Sequence, residues 1–286
     1  MKQLKSIFQS TGTHWVGNGF PVRSVFSYDA LGEELDPFLL LDYAAPHLFP
    51  PGTEKRGVGA HPHRGFETVT ISYQGEIEHR DSSGGGGKIG PGDVQWMTAA
   101  SGLLHEEFHS AEFTRTGGMF EMAQLWVNLP ARAKSAPPGY QTLLKQDIPV
   151  VSLPEGAGEA RVIAGQLHRT QGPGRTFTPI NLWDVKIHSG KSATFPLTDG
   201  HTVALLVMNG DLSFQENHHA SEGALVLFER EGNDVQIAAT EDTRLLLMSG
   251  EPLNEPIVGS GPFVMNSESE IQQAFRDVRA GRMGSL

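Results

Sequence analysis

Short apolar runs closed by turn residues recur along the whole chain, and this pattern constrains the fold more than any other feature. FETVTISYQGEIEHR (66–80) alternates, breaks at Gly75 and resumes as a second strand. GDVQWMTAA (92–100), EMAQLWVNL (121–129), RVIAGQL (161–167), NLWDVKI (181–187), HTVALLVMNGDLSF (201–214), GALVLFE (223–229) and TRLLLMSG (243–250) follow the same rule. Strands at roughly ten-residue spacing with few helical periods between them predict an all-β sandwich or barrel. The turn residues support this. With 34 glycines and 18 prolines among 286 residues, the chain holds about 18% of the two together against roughly 12% in average proteins.

The two halves repeat one another. FETVTISYQGEIEH (66–79) and HTVALLVMNGDLSF (201–214) share a strand–Gly–strand pattern that matches Gly75 with Gly210. PGDVQWMT (91–98) and SEGALVLFE (221–229) match Gly92 with Gly223. A single repeat about 130 residues long predicts a duplicated domain, since solenoid periods are about 20–50 residues. ARAKSAPPGYQ (131–141) is polar and carries Pro–Pro, so it is the expected linker between an N-terminal domain over 1–130 and a C-terminal domain over 142–286. At the C-terminus, Ser267 and Glu270 have capping-box spacing, and Ile271, Ala274, Phe275 and Val278 recur at helical intervals. A helix at about 268–280, packed by its apolar face, follows.

Several function classes are excluded early. No run approaches the roughly 18–20 apolar residues of a membrane span, and MKQLKSIFQSTG has no sustained apolar stretch that would make it a secretory signal. A cytoplasmic protein is expected. With no cysteine, thiolate nucleophiles, Fe–S clusters and cysteine zinc sites are ruled out. A net charge of −11 lacks the basic footprint of a protein that grips nucleic acid unaided.

The chemistry concentrates in His61-Pro62-His63 and, about 40 residues on, His105-Glu106-Glu107. In a strand, residues i and i+2 share a face, so His61 with His63, and His105 with Glu107, can point together at one ion. Imidazole and carboxylate without thiolate suit Fe(II), Ni, Mn, Cu or Zn. Four protein ligands on an octahedral ion would leave two positions for substrate and dioxygen. Glu67 also has a parity that could reach the ion, and His109 is expected at a strand end on the surface. Phe66 and Trp96 are expected in the core or at the pocket mouth. In the second half, Pro196 and Thr198 stand where His61 and His63 do, and Gln236 and Ala238 fall near His105 and Glu107. That half is expected to bind no metal.

HPHRGFETVT, PGDVQWMTAASGLLHEE and GEPLNEPIVGSGPFVMNSESEI resemble the pirin family of bicupins, across nearly the whole chain. The resemblance implies two tandem cupin (double-stranded β-helix) barrels with a C-terminal helix. It implies one mononuclear metal, iron(II) first, held by His61, His63, His105 and Glu107. It further implies a quercetin 2,3-dioxygenase-like oxidoreductase that opens a flavonol or similar hydroxyketone with O2 and releases CO, with Glu107 as ligand and base. The alternative it carries is an iron-binding, redox-sensitive co-regulator that docks on transcription factors or metabolic enzymes.

Overall fold

The computed structural model describes residues 1–10, 12–214 and 218–286. Its strands gather into two compact units. One comprises Gly12–Glu33, Phe38–Lys145 and Leu253–Leu286, and the other Met1–Thr11, Glu34–Pro37 and Gln146–Pro252.

In the first unit a seven-stranded antiparallel sheet runs in the order Gly139–Leu143, Val94–Thr98, Phe66–Gln74, Gly118–Asn128, Phe38–Phe49, Phe20–Ser27, His14–Val16. A four-stranded sheet runs Gly57–His63, Leu103–His109, Ile77–Asp81, Gly86–Ile89. Side chains from both share one core, with Phe20, Val22, Ala44, Phe120 and Met122 of the large sheet against Ile77 and Ile89 of the small one. The second unit repeats the order. Its large sheet runs Leu4–Gln9, Ala224–Phe228, Thr202–Asn209, Thr243–Gly250, Ile180–Ile187, Gly158–Ala164, Val150–Ser152. Its small sheet runs Ser192–Pro196, Asp234–Ala239, Asp211–Ser213, His219–Ser221. Gly75 and Gly210, at φ 82° and 85°, turn the chain at matching points, a conformation that glycine alone adopts without a Cβ penalty.

Each unit is therefore a cupin-like pair of open sheets and not the closed barrel expected from the sequence. No sheet closes on itself, and among the described residues no strand ladder joins the large sheet of a unit to its small one. Alternation demands only that one face of every strand be buried, a condition that stacked sheets and barrels meet equally. Side chains bridge the open seam instead. Tyr140, on an edge strand of the large sheet, hydrogen-bonds His79 of the small one through its hydroxyl and His79 Nε2.

The C-terminal helix spans Glu268–Arg279. Ser267 caps it, accepting from the Glu270 backbone N–H at 3.4 Å, while the Glu270 carboxylate accepts from Ser267 Oγ at 2.8 Å and from the Asn266 N–H at 3.2 Å. Ile271 and Ala274 pack with Phe263, Met265 and Met283. Asp277, near the helix end, accepts from Arg64 at 2.8 Å, which ties the helix to the turn that follows His63. The segment 131–141 supplies this same unit with the start of its edge strand and with buried Lys134. No helix of the described residues is long and apolar enough to cross a membrane.

Candidate metal centre

His61 and His63 project from one face of the strand Gly57–His63, and His105 is the direct cross-strand partner of His61. The three ring centroids lie 4.2–4.9 Å apart, and one ligand nitrogen from each falls within 4.8 Å of the others. Backbone carbonyls hold two of the rings. His61 Nδ1 donates to Gly59 O at 2.8 Å and His63 Nδ1 to Pro262 O at 3.4 Å. A carbonyl can only accept, so Nε2 of each ring keeps its lone pair.

Burial keeps these imidazoles in the neutral, singly protonated form. His63 is pushed down to about 3, first by burial and then by His61 beside it. His105 is held well below the ordinary histidine value by burial and by three neighbouring histidines, and His61 is lowered by burial. Both ring nitrogens of His105 are buried without a hydrogen-bond partner among the described residues. Three neutral imidazoles converging on one point, one of them orphaned, form a donor set that suits a single divalent cation.

Glu107 stands apart from this trio and is not among the ligand atoms that cluster within 4.8 Å. The ladder with Gly57–His63 is irregular between His105 and Glu107, which pair with His61 and Val58. The carboxyl is 8% exposed, and burial pushes it up to about 7. Thr70 Oγ1 lies 3.5 Å from Glu107 Oε1 and donates to Gln124 Oε1 at 2.6 Å. Glu106 points outward to Arg80 at 2.6 Å and Lys55 at 3.5 Å.

Glu67 belongs to the other face of its strand. Phe66 meets the His63 ring at 5.2 Å and Thr70 meets Glu107, so the residue between them in alternation points away. Its carboxyl, raised to about 7 by burial, accepts from Thr98 Oγ1 at 2.7 Å. The turn at Arg64-Gly65, with Gly65 at φ 93°, resets the parity that sequence counting carries through it. Trp96, paired with Val69, shares the face of Glu67. Trp126 takes the place at the site, stacked on Phe66 at 4.2 Å and edge-on to His63 at 5.2 Å. His109 is not on the surface. It is boxed by Phe20, Phe49, Phe113 and Phe120 at 4.6–5.7 Å.

Sequence reasoning also missed Thr70, Gln124, His79 and Tyr140. The alternation that buries Phe66 equally buries Thr68, Thr70 and Ser72, a polar phase that reads as a solvent face. In the second unit the inward positions are Ala193, Phe195, Val235, Ile237 and Ala239, so the register read from sequence for Gln236 and Ala238 is off by one residue.

Residues 19–127 match the Pirin family and residues 182–284 the Pirin C-terminal cupin domain. A Pseudomonas aeruginosa protein provisionally named quercetin 2,3-dioxygenase is 56% identical over 282 residues, covering 99% of this chain and 98% of the relative. A pirin-like protein of Solanum lycopersicum is 36% identical, covering 94% and 88%. The crystal structure of a quercetin 2,3-dioxygenase from Acinetobacter baumannii superposes with a TM-score of 0.97 at 52% identity, covering 100% of this chain and 99% of that one. The matched segments carry both histidine motifs and both pairs of turn glycines, and relatives more than 30% identical match along most of their length: this chain belongs to the pirin family.

Proposed function

We propose that this pirin is a metal-dependent dioxygenase that opens the flavonol ring of quercetin, or of a related hydroxyketone, with O2, working in the cytoplasm. The atoms balance as flavonol plus O2 giving a depside plus CO. The observation that carries the reading is three neutral imidazoles, His63 and His105 buried and His61 half-buried, converging near the buried Glu107 carboxyl. In this reading His61, His63 and His105 hold iron(II) with Glu107 as fourth ligand, and the ion supplies Lewis acidity and one-electron chemistry for O2.

The chain's own groups do the rest. Glu107 accepts the substrate hydroxyl proton at a carboxylate oxygen. Its neighbour Thr70 is held by Gln124, which restrains the carboxyl from one side. Trp126, half-buried at the edge of His63 and backed by the buried Phe66 ring, offers an aromatic surface on which a planar substrate can stack.

The test is oxygen uptake and CO release by the anaerobically iron-loaded protein on adding quercetin, beside Glu107→Gln. Turnover in the wild type, reduced about 100-fold or more in Glu107→Gln, is expected. One bound iron without turnover overturns the proposal and directs the search to a protein partner.

A further inference from the structure

The duplicated architecture places an arginine at the same register position in each unit. Counted from the turn glycines, Thr70 and Leu205 each stand five residues before Gly75 and Gly210. Across the large sheet of the metal-binding unit the row through Thr70 runs Gln95, Thr70, Gln124, Asp42, Ser24. In the other unit the row through Leu205 runs Val226, Leu205, Leu247, Trp183, Val162. One position along, Arg23 pairs with Tyr43 and Arg161 with Asp184. The two arginines therefore correspond, and so do Tyr43 and Asp184.

Their partners differ. Arg161 Nη1 donates to Asp184 Oδ2 at 2.8 Å in a largely buried ion pair. In the metal-binding unit Tyr43 stands where that carboxylate does. Its hydroxyl donates to Glu121 Oε1 at 2.6 Å, and Gln74 donates to Glu121 Oε2 at 3.0 Å. Arg23 is half-buried, and among the described residues its side chain has neither a hydrogen bond nor an ion pair. A guanidinium so placed ordinarily has a partner, because its charge has lost part of its water. Only Nε is fully enclosed, and the terminal nitrogens stay open to a ligand.

A pocket of about 150 Å³ opens beside this group. Pro21, Ala45 and Pro46 give it an apolar wall, and Thr13 and His47 stand with Arg23 on its polar side. The Thr13 hydroxyl and the His47 ring can each donate, whereas the Tyr43 proton is committed to Glu121. The pocket is thus rich in donors. We infer that it binds a small organic carboxylate, which meets Arg23 as Asp184 meets Arg161. The terminal nitrogens form a fork that matches two carboxylate oxygens, and the apolar wall receives a short carbon skeleton. Pockets for drug-sized ligands run to roughly 300–1,000 Å³, so this one is too small for a flavonol and is a site apart from the histidines. One guanidinium, with the buried Glu121 carboxylate behind Tyr43, disfavours a dianion such as phosphate.

The experiment is a titration of the full chain with acetate at fixed ionic strength, read by saturation transfer from the protein to the acetate methyl group, with inorganic phosphate added as competitor. The wild type is expected to bind acetate with a Kd of about 1 mM, and phosphate about tenfold more weakly. Arg23→Gln should weaken acetate at least about tenfold. Arg23→Lys, which keeps the charge and loses the fork, should weaken it about threefold or more. No saturable binding below about 50 mM, or an Arg23→Gln affinity within about twofold of the wild type, overturns the site. Phosphate displacing acetate with equal or higher affinity overturns the carboxylate class. If Arg23→Gln does not fold, Arg23→Lys carries the test, and an unchanged affinity there overturns the fork.

Discussion

Lys134→Met is the substitution whose effect the structure specifies most fully. The Lys134 side chain is 2% exposed, and its ammonium donates to Gly65 O at 2.7 Å, Asn128 Oδ1 at 2.7 Å and Val264 O at 3.0 Å. It thereby joins the turn after His63, the end of the long strand that carries Trp126, and the strand preceding the C-terminal helix. Methionine keeps most of the stem's packing and removes the charge. Three hydrogen bonds to an ammonium are worth about 1.5–3 kcal/mol each. Against that loss, several kcal/mol of ammonium desolvation are relieved. Removing one member of a buried charged network ordinarily leaves a net loss of about 3–5 kcal/mol, and the methionine stem places this case near 3. For a chain of this length that lowers Tm by about 6–12 °C. Because Gly65 follows the ligand strand, metal affinity in a chelator competition should fall about tenfold as well. Calorimetry of the metal-loaded protein reads the first quantity directly. A variant that melts within about 2 °C of the wild type and keeps its metal would refute the reasoning, since the three carbonyls would then be satisfied without Lys134.

Three further outcomes follow from the site and its supports. His61→Ala combined with His105→Ala should fold and retain no stoichiometric metal, read by elemental analysis; a full equivalent of metal would show that the ion sits elsewhere. With Glu107 at about 7 in the metal-free protein, metal uptake should release more protons at pH 6 than at pH 8 if Glu107 becomes a ligand. Calorimetry in buffers of differing ionisation enthalpy measures this, and no release at pH 6 would leave the carboxyl out of the ligand set. Asp277 is held down at about 2 by hydrogen bonds from Arg64 and Arg282. A depressed carboxylate stabilises the fold above its unfolded pKa and loses that contribution as pH falls through the folded one. The stability gap between wild type and Asp277→Asn, roughly 1 kcal/mol after solvent screening, should therefore be full above pH ~4 and close toward pH ~2; a gap unchanged across that window would contradict the pairing.

The legible parts of the sequence were those carried by local rules. Alternation and turn glycines mark the strands, and the matches of Gly75 with Gly210 and Gly92 with Gly223 expose the duplicated strand order. Ser267 and Glu270 announce the helix start. His61, His63 and His105 are legible because two-residue spacing on a strand is enough to bring imidazoles together. What failed needed long-range geometry. The open seam between sheets is invisible to alternation. The turn at Gly65 reverses the parity counted for Glu67. His109 reads as polar, yet Phe20 and Phe49, distant in sequence, join Phe113 and Phe120 in enclosing it. Lys134 and Tyr140 lie in a stretch whose prolines and small residues suggest a tether, and only the fold shows one buried and the other on an edge strand.

The contrast between the two units bears on how the site is sustained. Neutral histidines packed together, a carboxyl raised to about 7 and unmatched groups at Gln95 and Thr68 all work against folding. In the metal-binding unit these groups are surrounded by interactions with the opposite sign. Lys134 binds three acceptors, Arg64 and Arg282 grip Asp277, and the capping box secures the helix that carries Asp277. At the matched positions the other unit buries Val226, Leu205, Leu247 and Trp183, apolar but for the Trp183 indole N–H. A functional site is ordinarily where a protein departs from the rules that stabilise it. Here the departure can be measured against a second copy of the same architecture. Unmatched buried groups occur in the other unit too, at Trp183 Nε1 and Ser249 Oγ, but the converging imidazoles belong to one copy, so bound metal, by meeting the orphaned His105 ring, should stabilise that unit in particular.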